Sequence, residues 1–119
     1  MSFNNTGIIF LQDGDIKHGK IMTTDKVFVM VQGDFCHFCN EAKPAFIEAS
    51  KKPFKHKVVF ATIKSDGDAS EKAVSAQIKK IDPSLSGVPA YLLFNKGKYV
   101  TTYKGNRDAE SIHKFLSSN

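Results

Sequence analysis

The chain has 119 residues, 41% of them apolar, enough for one domain spanning residues 1–119 with a single core and too few for a second. No stretch approaches the ~20 apolar residues of a membrane span, and residues 1–15 lack the basic region and long apolar run of a signal peptide. The expectation is a cytoplasmic protein with no membrane partner. A formal net charge of +5 would suit an acidic partner or nucleic acid, but the lysines are scattered, with one modest cluster at Lys51, Lys52, Lys55 and Lys57, and Arg107 is the single arginine. Bidentate recognition of phosphates or base edges is poorly supplied, so the charge reads as solvated surface and nucleic acid is not expected as a partner. The preference for lysine over arginine fits an AT-rich genome, such as that of a protist, a low-GC bacterium or a large virus. Asn4-Asn5-Thr6 has the glycosylation pattern, which means little without secretion.

Ile8 to Leu11 reads as a short first strand. Asp13 to Thr23 is ambiguous; Ile16, Ile21 and Met22 form the apolar side of a short helix, weakened by Gly14 and Gly19. Val27 to Val31 is an unbroken apolar run of the length of a buried strand. After Gln32-Gly33-Asp34-Phe35 the pattern turns helical from about Phe38 to Lys51, with Phe38, Ala42, Ala45, Phe46 and Ala49 at steps of three and four. Pro44 lies inside that helix, removes one backbone donor and predicts a kink. Val58 to Ile63 is a second buried strand. Asp68 and Glu71 have the spacing of a capping box and open a helix through Ala73, Val74, Ala76, Ile78 and Ile81, stopped at Asp82-Pro83. Ala90–Phe94 and Tyr99–Tyr103, joined through Asn95-Lys96-Gly97, read as a β-hairpin. Asp108 caps a last helix with Ile112, Phe115 and Leu116 on one face. The order β, α, β, α, β, α, β, β, α gives an α/β fold, a mixed central sheet of about five strands flanked on both faces by about four helices.

Both cysteines sit in one tetrapeptide, Cys36-His37-Phe38-Cys39. A thiol pair at this spacing can close a small ring reversibly, which is redox chemistry. Cys36 falls at or near a helix N-terminus, where free N–H groups and the helix dipole stabilise a thiolate. The competing readings are a structural disulfide or inert thiols, a zinc site, and a cluster shared between two chains and glutathione. Zinc needs about four ligands; His37 is too close in sequence to be an obvious third, and His18, His56 and His113 are scattered.

Asp34-Phe35-Cys36-His37-Phe38-Cys39-Asn40-Glu41-Ala42-Lys43-Pro44, then Gly87-Val88-Pro89-Ala90, then the hairpin with Gly97 and Gly105 follow one another in an order that closely resembles the thioredoxin family, from about Ile8 to Leu116. The resemblance implies a thioredoxin-like fold and a thiol–disulfide oxidoreductase acting on protein disulfides, as a thioredoxin-type reductant. It makes Cys36 the attacking thiol and Cys39 the resolving one. It places Pro89 in a cis bond facing the pair and has Val88 offer its backbone to an extended substrate. It implies a monomer, recharged by a thiol donor such as thioredoxin reductase or glutathione, with no cofactor beyond the Cys36–Cys39 disulfide.

Several positions depart from the family pattern. Met30 stands where a buried acid is usual, Thr62 where a lysine often pairs with it, and Phe35 where a tryptophan commonly precedes the first cysteine. The dipeptide His37-Phe38 replaces the Gly-Pro of thioredoxins and the Gly-His of protein disulfide isomerases, and an aromatic before the second cysteine is similar to glutaredoxins. The stretch from Asp66 to Gly87 is longer than in a minimal thioredoxin. These departures leave isomerase-like or glutaredoxin-like activity open, as well as a binding module whose cysteines matter little. His37 is either a tuning cation for Cys36 or a surface residue. Phe35 and Phe38 are either core or substrate contacts, and Asp34 reads as a solvated loop acid.

Overall fold

The computed structural model describes residue 3, residues 6–21 and residues 23–119; Asn4, Asn5 and Met22 of the sequence reading lie outside them. The strands are β1 (Ile9–Phe10), β2 (Ile16–Lys17), β3 (Lys20–Ile21), β4 (Lys26–Gln32), β5 (Val58–Lys64), β6 (Ala90–Asn95) and β7 (Lys98–Tyr103), and the helices α1 (His37–Ser50), α2 (Ala69–Ile81) and α3 (Ala109–Ser118). β1, β5 and β4 pair in parallel, β4, β6 and β7 antiparallel, giving one mixed sheet of five strands in the order β1-β5-β4-β6-β7. This is the thioredoxin-like α/β architecture.

The sheet is covered on both faces, and alternation along β4 assigns its side chains. Phe28 and Met30 enter a cluster with Cys39 and Phe46 of α1 and Ile112 and Leu116 of α3, while Val27, Val29 and Val31 join Val74 and Ile78 of α2. Phe28 is the hub of the first cluster, with its ring 5.9 Å from that of Phe46 and 5.7 Å from that of Tyr91. Such a wholly enclosed ring is worth about 3–5 kcal/mol against alanine. The helix starts follow their caps. Asp68 and Glu71 close both halves of the capping box on α2, and Asp108 accepts the Ser111 N–H at 2.8 Å on α3. α1 runs without interruption through Pro44.

Three helices form among the described residues, against about four expected. The difference lies in the segment 13–23, where residues 16–21 form a hairpin and not a helix. His18 and Gly19 take φ of 54° and 76°, the left-handed pair that a two-residue hairpin turn needs and a right-handed helix forbids. Ile16 and Ile21 are cross-strand partners, both buried, so their apolar spacing reflects pairing across a turn. The hairpin docks on the β6–β7 turn, where the Ile21 N–H donates to the Gly97 carbonyl at 2.9 Å. Gly97 has φ +84°, and a Cβ there would lie 2.6 Å from the Ile21 carbonyl oxygen, so only glycine fits.

Candidate active site

β4, the central strand, ends at Gln32, and the turn Gly33-Asp34-Phe35 leads into Cys36, the N-cap of α1. Cys36 keeps an extended backbone, and its Sγ accepts the Cys39 N–H at 3.1 Å. A sulfur thus occupies the place usually taken by a capping oxygen. Cys39, in the first turn, is fully buried, whereas Cys36 is half-buried. The two are joined as a disulfide, with Cα atoms 5.1 Å apart. Across the gap, the Val88 carbonyl oxygen lies 3.7 Å from Cys36 Sγ, and the Val88–Pro89 peptide is cis. The fold therefore brings the start of α1, with Cys36 and Cys39, together with the Val88–Pro89 segment that precedes β6.

The neighbouring residues stand outside the core. Phe35 is 95% exposed and Phe38 62%, so neither ring is spent on packing. His37 is exposed too, its ring 5.7 Å from that of Phe38 and its Nε2 2.9 Å from Glu41 Oε1. Beneath the cysteines, Met30 and Thr62 face one another in the β4–β5 register. Thr62 Oγ1 donates to the Met30 carbonyl at 2.8 Å, so no ionisable side chain occupies that position.

Asp34 is more than a solvated acid. Its carboxylate receives Lys64 Nζ at 2.6 Å and faces Lys43 Nζ at 3.9 Å. The hydrogen bond to Asp34 holds the Lys64 amine above the ordinary lysine range, against a smaller effect of burial. Lys43 is only 3% exposed and reaches the ring of Phe3, 5.7 Å from its centroid. Helical side chains lean toward the N-terminus, so a lysine one turn after Cys39 directs its amine back to the turn before Cys36.

Asp66 was not singled out in the sequence. Its carboxylate accepts the Asp34 N–H at 3.0 Å and the Phe35 N–H at 3.2 Å. The bond from Asp34 leads in holding this carboxyl below the usual carboxylate range. A Cβ on Gly33 would press within 3.2 Å of the same carboxylate. Parallel pairing of Gln32 with Lys64 brings the residues just beyond the two strand ends level; that register, applied to Ser65-Asp66-Gly67, is the signal that could have found it. Among the described residues no three His, Cys, Asp or Glu side chains converge as metal ligands.

A disulfide-bonded Cys-x-x-Cys at the start of α1, facing the Val88–Pro89 segment over a mixed sheet, defines a protein of thioredoxin fold with a redox-type cysteine pair. The thioredoxin family model matches residues 12–118, and the chain belongs to the thioredoxin family. A protein of Invertebrate iridescent virus 6 named as thioredoxin-like (453L) is 33% identical over 109 residues, covering 78% of this chain and 79% of the viral one. Human ERp44 in its form I crystal structure is similar at 26% identity and a TM-score of 0.72, over 93% of this chain and 29% of that one. Its zinc-bound form is similar at 25% and 0.70, over 94% and 30%. The J-Trx1 fragment of ERdj5 shares the fold at 18% identity and a TM-score of 0.68, over 94% of this chain and 51% of the fragment. The chain spans about 30% of the ERp44 chains it matches. Among the described residues no helix is long and apolar enough to cross a membrane.

Proposed function

We propose that this protein is a thiol–disulfide oxidoreductase of protein substrates, with Cys36 as nucleophile and Cys39 as resolving thiol. The observation that carries the reading is the asymmetry of the pair. The N-capping sulfur is half-exposed beside the Val88 carbonyl, and the other is fully buried. In the reduced protein the Cys36 thiolate is favoured by the Cys39 N–H and the helix dipole. It attacks one sulfur of a substrate disulfide; the S–S bond breaks, the second substrate sulfur leaves as a thiolate, and a mixed disulfide forms. Cys39, once deprotonated, attacks Cys36 Sγ and expels the first substrate sulfur. The substrate has then gained two electrons, and the protein is left with the Cys36–Cys39 disulfide. A thiol donor such as thioredoxin reductase or glutathione closes the cycle, no further cofactor is needed, and the protein works as a cytoplasmic monomer. Val88 supplies backbone for an added substrate strand beside Pro89, and the bare rings of Phe35 and Phe38 supply contact area.

The neutral Met30–Thr62 pair favours a second reading in the same chemistry, a more oxidising, isomerase-like poise. A buried acid there would oppose thiolate formation, and none is present. The reduction potential measured against glutathione separates the two.

The test of the first reading is insulin reduction with a thiol donor, together with single-cysteine variants. Cys36→Ser should abolish turnover. Cys39→Ser should accumulate mixed disulfides with substrate. Brief alkylation of the reduced wild type should label Cys36 first; preferential labelling of Cys39 overturns the assignment, and no insulin reduction above that of the thiol donor alone leaves a binding module.

A further inference from the structure

Beside Pro89 the surface opens into a cavity of about 240 Å³. Pro89, Tyr91, Tyr103, Lys104 and Arg107 are among the residues that line it. The cavity is preset by its own walls. Tyr103 Oη donates to the Asn106 carbonyl at 2.5 Å, and a Cβ on Gly105 would lie 2.6 Å from the Tyr103 hydroxyl oxygen. The loop carrying Lys104 and Arg107 is thereby laid directly over the Tyr103 hydroxyl. Tyr91 is only 3% exposed, and its buried hydroxyl has no hydrogen-bond partner. Burial pushes this hydroxyl up to about 12, so at neutral pH it is a donor, and Arg107 lines the same cavity. Among the described residues no carboxylate lies within ion-pair distance of Lys104 or Arg107. The acids nearby are held by hydrogen bonds, Asp82 with Ser84 and Thr102 and Asp108 with Ser111; Asp82 also feels the charge of Lys104, which leaves Arg107 as the less committed cation.

An unpartnered donor in the wall of a cavity that Lys104 and Arg107 also line is the complement of a carboxylate. An apolar occupant would leave the Tyr91 hydroxyl unpaired, and a basic one would meet like charge. Gly87 and Pro89, which line the cavity, flank Val88, whose carbonyl oxygen lies 3.7 Å from the Cys36 sulfur, so the cavity opens on the segment that faces the cysteine pair. We propose that this cavity holds an aspartate or glutamate side chain of the disulfide-bearing substrate, close in sequence to the cysteine under attack, and so selects acidic disulfide segments. The inference deepens the oxidoreductase reading by naming its substrate class.

Two experiments separate the claims. In the first, peptides in which serine replaces the reacting cysteine, with Glu, Gln or Lys as the flanking residue, are titrated onto the oxidised protein and followed by amide NMR. The Glu peptide should shift the Tyr91, Gly105 and Arg107 signals and bind at least ~fivefold tighter than the Gln peptide, with the Lys peptide weakest. In the second, the same peptides as disulfides are reduced by the reduced protein, and the Glu-to-Gln rate ratio should be about fivefold at low salt and shrink at high salt. Arg107→Gln and Tyr91→Phe should each move both ratios toward one; because each ratio is taken within one variant, a general loss of activity cancels. Equal binding of Glu and Gln peptides, or a preference that survives Arg107→Gln with Lys104→Gln, overturns the proposal. Should no peptide be reduced while carboxylate-dependent binding persists, the cavity assignment stands and the oxidoreductase reading falls. Should all be reduced and bound alike, the reverse holds.

Discussion

On the core side of the Cys36–Cys39 disulfide, Met30 and Thr62 face one another across β4 and β5, both out of water, with the Thr62 hydroxyl bonded to the Met30 carbonyl. On the loop side, Asp34, Lys43, Lys64 and Asp66 crowd the turn that feeds Cys36, each carboxylate matched to amide or ammonium donors. Both regions are within a few residues of the same sulfurs, yet one is neutral and dry and the other charged and half-wet. The contrast follows from what each place can satisfy. A lone ionised group in the β4–β5 core would have no partner, whereas the turn has free N–H groups and two lysines in reach. Charge that tunes the cysteines of this chain therefore has to act from the loop and from the exposed start of α1.

The largest effect should come from putting charge on the neutral side. Met30→Asp should cost about 3 kcal/mol or more at pH 7, read by urea unfolding, while Met30→Leu should stay within about 1.5 kcal/mol. The pH dependence has a definite sign. Burial raises the folded carboxyl above its unfolded value of about 3.9, so the penalty falls on the ionised form. It should be smallest below about pH 4 and grow as pH rises toward the folded value. A cost of only a few tenths at pH 7 would show that water or a cation already reaches Met30, and the contrast would break.

The next effect is on the loop side. Asp66→Asn removes the charge from two hydrogen bonds and leaves one acceptor in place of two, at a cost of about 1 kcal/mol at neutral pH. Asp66 is depressed in the folded state, led by the Asp34 N–H bond. Its contribution is therefore present above the unfolded value of about 3.9 and is lost as pH falls through the lower folded one. Wild type and variant should differ at pH 7 and converge as the solution is acidified below about pH 4. Parallel stability curves across that range would mean that the carboxylate does not hold the turn.

How much of this was legible depends on whether a feature is local. The apolar run at Val27–Val31, the Asp68–Glu71 box and the turn around Gly97 each carry their cause within a few residues, and the strand, the helix start and the hairpin form where those signals stand. Residues 13–23 misled because a few apolar residues between glycines and charges do not separate a short helix from a tight hairpin, and His18 gives no sign of its left-handed backbone. Asp66 was invisible because its role arises from β4–β5 register and not from its neighbours in sequence. The exposure of Phe35 and Phe38 could not be read either, since a ring at a helix start can face the core or solvent, and only the completed packing of Phe28, Phe46 and Tyr91 shows the core already filled.

The smallest effect belongs to His37, and it sharpens the contrast because it tests charge at the wet end of α1. A protonated imidazole beside Cys36 favours the thiolate, and a stabilised reduced form means a higher potential. The structure limits the size of that effect. Glu41 sits 2.9 Å from the ring, and the two side chains are 78% and 63% exposed, so the field of the imidazolium is offset by a carboxylate and screened by water. A residual interaction of about 0.3–0.5 kcal/mol converts to roughly 6–11 mV for a two-electron couple, since about 30 mV corresponds to 1.4 kcal/mol. His37→Gln should lower the potential by about that much at pH 5, where histidines carry charge, and by less at pH 8, where they do not. Glu41→Gln should do the opposite at pH 5, because it frees the imidazolium from its partner. Opposite signs from two adjacent substitutions are hard to obtain from any general loosening of the helix start. If both variants keep the wild-type potential at pH 5 and at pH 8, His37 is surface, and the loop charges around Asp34 are left as the ones able to set the poise.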